Sequence, residues 1–294
     1  MSQPDDLHAR AVALYDRFTH EAGDRRAFMR DMAVLAGSVA AAETLLLGIA
    51  ANPAAAAVIA PQDPRLKVQE VAWAGSNKRR MRGYSARPAG RATKRGTVMV
   101  IHENRGLTDH IRDVARRVAL AGFIAVAPDF LSPDGGTPAN EDAARDAIGK
   151  LELATAVADG VATIGWLRRV AQSNGRVGVV GFCWGGAMVN RLAVAAGPAL
   201  SAGVAYYGPA PAPAEAAKVE ASMMLHYAKL DARVNATGLP WADALKANNV
   251  PTESFVYEGV NHAFHNDTAV GRYDKEAAEL SWSRTLAFLE TRLS

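Results

Sequence analysis

The chain has 294 residues but only one cysteine, Cys183. A single thiol excludes an internal disulfide and any metal site built from several cysteines, so the fold must depend on its hydrophobic core. The chain also lacks a strong excess of either sign of charge. Its formal net charge is +3, and like charges do not form long blocks. The densest basic stretch, residues 78–82, is typical of the exposed face of a strand. Nucleic acid is therefore not expected as a partner.

Long apolar runs are also lacking. Glu43 interrupts the one extended apolar stretch, residues 32–51, so stable insertion in a membrane is not expected. The residues before it predict an amphipathic helix over 5–20, because apolar side chains recur there at helical spacing. These side chains are Leu7, Ala11, Leu14, Tyr15 and Phe18.

Two interpretations of residues 1–57 remain open. Arg25 and Arg26, the apolar stretch and the small residues 55–57 together resemble a twin-arginine export leader, which would direct the protein to the periplasm. Alternatively, the segment is a helical arm that packs on the enzyme or forms a homodimer with a second subunit. Glu43 and the preceding helix favour the folded arm and, with it, a cytoplasmic location.

Residues 58–294 form the second predicted unit, in which short apolar runs alternate with helical patterns. The runs predict strands at 68–74, 81–86, 98–101, 123–127, 177–180, 204–207, 223–227 and 254–257. Helices are predicted at 108–121, 155–170 and 273–292, with a further helical pattern after Cys183 and a loop with a short helix over 131–150. This alternation predicts an α/β fold: a mostly parallel sheet covered by helices on both faces.

Cys183 lies between Gly181 and Gly185, after a buried strand and before a helix. A residue between glycines at a sharp strand-to-helix turn projects its side chain above the sheet, and the start of the helix favours a thiolate. This pattern predicts a nucleophile rather than a structural cysteine.

A nucleophile needs a base and a group that orients the base. Asp231 follows the strand at 223–227 and His262 follows the strand at 254–257, so both side chains are expected at the edge of the sheet where Cys183 lies. Three other histidines compete for the role of base. His226 is expected to pack in the core, His265 is kept as a metal or substrate contact, and His102 follows the strand at 98–101.

Several motifs resemble the dienelactone hydrolase (carboxymethylenebutenolidase) family of α/β-hydrolases, and the resemblance covers about 66–294. The matching segments are residues 178–186, 205–208, 259–264, 101–106 and 127–129. The resemblance implies that Cys183, His262 and Asp231 form a catalytic triad. It also implies that Glu103 accepts the proton of the resting thiol, with a buried ion pair to Arg105 or another arginine as the alternative.

The backbone N–H groups of Trp184 and Asn104 are the expected oxyanion hole. Tyr207, Arg105, Asn266 and Arg145 are expected to contact the substrate. In the family an arginine four positions after the catalytic histidine helps to hold a substrate carboxylate, but this chain has Asn266 there. We therefore expect a neutral ester to be preferred over a carboxylated lactone, unless Arg105, Arg145 or Arg272 replaces the missing arginine.

The sequence thus predicts a hydrolase that opens a small ester or lactone through an acyl-thioenzyme, with no metal or organic cofactor. The alternatives are a carboxylesterase or thioesterase for neutral acyl groups, and a thiol sensor on a hydrolase scaffold. The sensor is disfavoured because such proteins usually have a second, resolving cysteine.

Overall fold

A computed structural model describes residues 4–20, 24–50, 57–91 and 93–294, with the side chains of residues 4–6 left aside. Residue 51 and the small residues 55 and 56, which belong to the leader-like pattern, lie outside the described residues. The described chain consists of a three-helix arm followed by an eight-stranded sheet with helices on both of its faces.

Every strand that the sequence predicts is present. The strands are β1 (Leu66–Ala74), β2 (Arg80–Pro88), β3 (Arg95–Ile101), β4 (Ile124–Asp129), β5 (Ser173–Phe182), β6 (Ala202–Tyr206), β7 (Ser222–Ala228) and β8 (Thr252–Tyr257). Their order in the sheet is β1-β2-β4-β3-β5-β6-β7-β8; β1 and β2 are antiparallel to their neighbours, and β3 to β8 run parallel. Parallel strands end at one edge, so the loops after β3, β5, β7 and β8 lie together.

The helices of the body are α4 (Asp109–Leu120), α5 (Glu141–Gly149), α6 (Leu153–Leu167), α7 (Trp184–Ala195), α8 (Ala232–Ala247) and α9 (Lys275–Leu293). Side chains of α4 and α9 build the core on one face of the sheet, whereas those of α6, α7 and α8 build it on the other. The expected α/β fold is therefore confirmed. Helix α8 was not predicted, because Gly238 and Pro240 obscure its pattern.

The arm consists of α1 (Pro4–His20), α2 (Arg25–Ala36) and α3 (Val39–Ile49). It has a small core of its own, in which the rings of Phe18 and Phe28 stack with centroids 4.3 Å apart. Within the described residues, no single helix has the length and apolar character of a membrane span. Helices α2 and α3 meet that test only as a pair, and they are bent by 104° relative to each other.

The arm docks on the loop that follows β8. His8 of α1 donates from Nε2 to the carbonyl of Gly271 (2.9 Å), and the N–H of Gly271 donates to the carbonyl of Gly48 (2.6 Å). Arg272 donates to the carbonyl of Ile49 (3.0 Å) and lies 3.6 Å from the carboxylate of Asp16. Backbone and charged contacts from α1 and α3 thus hold the arm against the edge of the sheet that carries the loops.

Asp113 of α4 anchors the chain between the arm and the body. Its carboxylate accepts from the N–H groups of Val58 (3.1 Å) and Ile59 (2.8 Å), and it pairs with Arg116 (3.5 Å) and Arg117. The side chains of Asp113 and Arg116 are both 2% exposed. A buried carboxylate of this kind satisfies several donors at once, and its loss leaves a buried arginine without compensation.

We therefore expect Asp113→Ala to lower the free energy of unfolding by about 3–5 kcal/mol, as removal of one partner of a buried ion pair does. Urea unfolding followed by circular dichroism measures the change. Asp109→Ala on the same helix is the control: its side chain is 88% exposed, and the cost should stay within about 0.5 kcal/mol. Equal effects of the two variants would contradict the anchoring role.

Candidate active site

Cys183 occupies the turn between β5 and α7. Its backbone has φ 55° and ψ −112°, a conformation that few non-glycine residues adopt, and the helix begins at the next residue, Trp184. A Cβ on Gly181 would collide with the carbonyl of Gly185, so the turn closes only because position 181 is glycine. The turn holds the side chain of Cys183 at the carboxyl edge of the sheet, where it is nearly buried.

Asp231 and His262 form a buried pair at the same edge. Oδ2 of Asp231 lies 2.5 Å from Nδ1 of His262, and Oδ1 accepts from the N–H of Val234 at the start of α8. Burial opposes protonation of the imidazole, but the negative charges of Asp231 and Cys183 outweigh it and raise the pKa of His262 to about 10. Burial likewise opposes ionisation of Asp231, yet the charge of His262 lowers its pKa below the usual value.

Sγ of Cys183 has a partner that the sequence did not reveal. Nε2 of His20, the last residue of α1, lies 3.1 Å from Sγ. The ring of His20 also packs edge-on against that of His262, with centroids 4.6 Å apart. One ligand atom from each of His20, Cys183 and His262 lies within 4.8 Å of the other two. No local pattern marks His20, because only the docking of the arm brings it here.

The loop after β3 brings Glu103 to the cavity that Cys183 and His262 line. Glu103 accepts from Nδ2 of Asn266 (2.7 Å) and, at 3.5 Å, from the hydroxyl of Tyr207. Among the described residues it makes no ion pair with Arg105, which instead lies 3.4 Å from the carboxylate of Asp142 and donates to the hydroxyl of Tyr15 (3.2 Å). Asn266 thus presents its amide to Glu103.

A family model described as "Dienelactone hydrolase family" matches residues 81–293. The chain belongs to this family. A putative carboxymethylenebutenolidase of Escherichia coli (strain K12) is 29% identical over 257 residues, covering 82% of this chain and 93% of the relative. One from Salmonella typhi is 30% identical over 220 residues, covering 70% and 81%. The chain is an ester-cleaving hydrolase.

Solved structures agree with the family. A putative dienelactone hydrolase from Klebsiella pneumoniae is 28% identical, with a TM-score of 0.67 over 76% of this chain and 98% of that one. The esterase rPPE is similar over 100% of this chain and 99% of its own, with a TM-score of 0.67. At 17% identity, this second similarity shows the fold alone.

Two cavities of this dienelactone hydrolase family member border the thiol. The inner one is about 30 Å³ and is enclosed by Cys183, His262, Glu103 and the arm residues Tyr15 and His20. That volume suits a single water molecule or ion and is too small for an ester. The outer one is about 620 Å³ and also borders Cys183 and His20, so a substrate can approach from this side.

The outer cavity contains two arginines that differ in their partners. Arg145 lies 2.9 Å from the carboxylate of Asp146 and 3.6 Å from that of Asp142, and it stacks over Phe18 at 4.3 Å. Nη2 of Arg233, at the start of α8, and Nη1 of Arg145 are both buried without a hydrogen-bond partner in the described part of the chain, so the two arginines differ in the ion pairs that Arg145 makes. Sequence reasoning missed Arg233, because an arginine in a first helical turn carries no signal of its own.

The remaining predicted residues take these positions. Trp184 is the first residue of α7, so its N–H has no partner within the helix and is available above the turn. Asn104 donates from its side chain to the carbonyl of Thr19 in the arm (2.9 Å). Tyr207 is fully buried and its ring contacts that of His262, with centroids 4.9 Å apart.

The three competing histidines lie apart from the thiol. His226 is hydrogen-bonded to the hydroxyls of Tyr257 (2.9 Å) and Thr285 (3.1 Å), and burial lowers its pKa to about 3. His265 stacks on Phe182 beneath the turn, with centroids 5.0 Å apart. His102 lies against Trp184, and its Nδ1 contacts the carbonyl of Glu103 (2.7 Å).

The raised pKa of His262 predicts a pH-dependent behaviour. Because it exceeds the unfolded value, the protonated ring stabilises the fold fully below about pH 6.5, and this contribution is lost as the pH rises through about 10. We expect an NMR titration of the His262 ring to show a midpoint near 10, and Asp231→Asn to lower it by removing the carboxylate charge. His226 serves as an internal control, since it should not titrate in this range. A midpoint that Asp231→Asn leaves unchanged would contradict the assignment.

Proposed function

We propose that this hydrolase cleaves small esters or lactones with Cys183 as nucleophile, His262 as the proton shuttle and Asp231 as the group that orients His262. The observation that carries the proposal is the convergence of three loops: Cys183 sits on a strained turn, and a buried, charge-coupled Asp231–His262 pair lies next to it. A thiolate beside a protonated imidazole is the reactive form of a cysteine nucleophile.

In the first half-reaction the thiolate attacks the carbonyl carbon and forms a C–S bond. The resulting oxyanion is held by the backbone N–H groups of Trp184 and Asn104. As the C–O bond breaks, the leaving alkoxide takes a proton from His262. In the second half-reaction His262 accepts a proton from water, the hydroxide attacks the thioester, and the acid departs as Cys183 returns to thiolate.

In this scheme Glu103 accepts the proton of the Cys183 thiol before the substrate reacts. It lines the inner cavity together with Cys183, and its contact with the Tyr207 hydroxyl is long at 3.5 Å, so one carboxylate oxygen is free to turn towards the thiol. Glu103 is therefore the candidate acceptor for the proton of the resting thiol.

The substrate pocket of the proposal is the outer cavity. Arg105, Arg145 and Arg272, which the sequence offered as replacements for the missing arginine, all pair with carboxylates of this chain. Arg233 makes no ion pair among the described residues and borders the same cavity as Cys183, although its charge interacts with those of Asp16 and Asp231. An acidic group on the substrate would satisfy its buried Nη2, so we propose that Arg233 recognises a substrate carboxylate.

The triad part of the proposal is tested by turnover of p-nitrophenyl acetate. Cys183→Ala and His262→Ala should each lower kcat by about 10³- to 10⁶-fold, because triad members act as a unit, and Asp231→Asn should lower it by less. Asp243→Asn, the same change at an exposed position of α8, is the matched control and should leave kcat near that of the wild type. Thermal unfolding verifies that each variant is folded. A Cys183→Ala protein with near wild-type turnover would exclude this nucleophile.

The substrate part is tested with a matched pair of esters, one neutral and one bearing a carboxylate on the acyl chain. Arg233→Gln should lower kcat/KM for the anionic ester by about 10- to 100-fold, the cost of a charge-assisted hydrogen bond, and should change the neutral ester little. Arg145→Gln is the control, and its smaller effect follows from the acidic partners that Arg145 already has. Equal losses on both esters would exclude recognition of a carboxylate by Arg233.

A further inference from the structure

The contact between His20 and Cys183 has no role in the reaction proposed above. His20 comes from the arm, 163 residues before the cysteine, and its Nε2 lies against Sγ at 3.1 Å. Nε2 of His262 is buried and has no hydrogen-bond partner in the described structure. One ligand atom from each of the two imidazoles and the sulfur of Cys183 lie within 4.8 Å of one another.

The hydrogen bonds of the two rings determine what these nitrogens present. Nδ1 of His20 lies 2.7 Å from the carbonyl oxygen of Asp16, and a carbonyl only accepts, so Nδ1 carries the proton. When the ring is neutral, Nε2 of His20 therefore holds a lone pair directed at Sγ. Nδ1 of His262 faces the carboxylate of Asp231 at 2.5 Å, so its proton is also on Nδ1 and the lone pair of the neutral ring is on Nε2.

This arrangement is the one that metal-binding histidines adopt. A ligating histidine almost always donates its other N–H to a backbone carbonyl or a carboxylate, which fixes the ring and its tautomer. His20 has the carbonyl and His262 has the carboxylate. A thiolate and two imidazoles together form a donor set for a borderline-soft divalent ion such as Zn²⁺.

The distances and the cavity fit such an ion. Zn–S and Zn–N bonds of about 2.3 and 2.0 Å place tetrahedral ligands about 3.3–3.6 Å apart. The observed separations are 3.1 Å for the His20–Cys183 pair and at most 4.8 Å within the set, so small side-chain shifts close the site. The inner cavity of about 30 Å³ has room for one ion, and its wall carries Glu103 together with the arginines Arg105 and Arg272, so the ion's charge is neutralised by the thiolate rather than by the wall.

We propose that His20, Cys183 and His262 form a three-ligand site for a divalent ion of the Zn²⁺ class, which locks the arm over the nucleophile. Binding displaces the proton that His262 Nε2 carries beside the thiolate, and the ion takes its place between the three ligands. This site would be regulatory, and it differs from the expectation of the sequence that no metal is involved. An ion held by Cys183 would also stop ester hydrolysis, and this consequence rests on the proposed function. The metal site itself does not depend on that function.

The arm supplies the third ligand of this site, His20. A metal bound by Cys183 and His262 alone has two protein ligands, whereas three ligands match the usual Zn²⁺ site with one open position. Since His20 is present only when α1 is docked, metal binding and arm docking must favour each other.

The test uses the untagged full chain, freed of metal by chelation. Competition with a chromophoric chelator should give one Zn²⁺ per chain, and Co²⁺ should give a thiolate-to-metal charge-transfer band. His20→Gln should weaken Zn²⁺ affinity about 100-fold or more, since even outer-shell changes cost 10- to 100-fold. Cys183→Ser should abolish the charge-transfer band. Zn²⁺ should also slow alkylation of Cys183 by iodoacetamide in wild type, and much less in His20→Gln.

His8→Gln is the matched control. His8 lies on the same helix but contacts Gly271, so the variant loosens the arm without removing a ligand and should bind Zn²⁺ far more tightly than His20→Gln does. Wild-type affinity no greater than that of His20→Gln, or a Co²⁺ complex with no charge-transfer band, would overturn the site. If bound Zn²⁺ leaves the alkylation rate of Cys183 unchanged, the claim that the ion holds the arm over the thiol would be overturned. Tight binding in a protein that cleaves no ester would support the site and refute the proposed function instead.

Discussion

The structure depends on how closely helix α7 approaches the sheet. A Cβ on Gly185 would collide with the carbonyl of Ile101 at the end of β3, and one on Gly186 with that of Tyr206 at the end of β6. These glycines let the first turn of α7 touch the two strands on either side of β5, which fixes the direction of the turn at Cys183. The positions of the thiol, of the Trp184 N–H group and of the loops around them all follow from this contact. Larger residues here would move the helix away and open the site.

The sheet and the three loop residues Cys183, Asp231 and His262 were predictable, because each depends on local pattern. Continuous apolar runs mark strands buried on both faces, and the order of parallel strands brings their carboxyl ends together. Helix α8 escaped prediction, since Gly238 and Pro240 weaken its signal although Gly238 is required against the ring of Tyr227. The carboxylate partners of Arg105 and Arg272 were not predictable either, because they come from distant parts of the chain, whereas Arg145 pairs with its near neighbours Asp142 and Asp146.

The arm shows where sequence reasoning stops for a physical reason. Its helices are marked by spacing and by the caps Asp24 and Ser38, which are local features. Its docking rests on contacts such as those between His8 and Gly271 and between Arg272 and Asp16, whose partners are more than 250 residues apart. The same docking buries the carboxylate of Asp16, whose pKa is raised by burial although Arg272 and His262 oppose this. No pattern within residues 1–57 contains these partners, so neither the docking nor the position of His20 could be derived from it.

The two interpretations of the N-terminal segment lead to the same chemical consequence. If the segment remains as an arm, His20 stays against the thiol and Tyr15 and Thr19 close the inner cavity. If it is an export leader, its removal takes away His20 and the wall of that cavity, and the loop of Glu103 to Arg105 loses its contacts with Thr19 and Tyr15. In both cases the segment determines whether the inner cavity beside Cys183 is walled, whereas the outer cavity is lined mainly by the catalytic body. A reactive thiol beside a protonated imidazole is readily oxidised or alkylated when exposed, so the two interpretations differ in how far the segment shields Cys183 from such reagents.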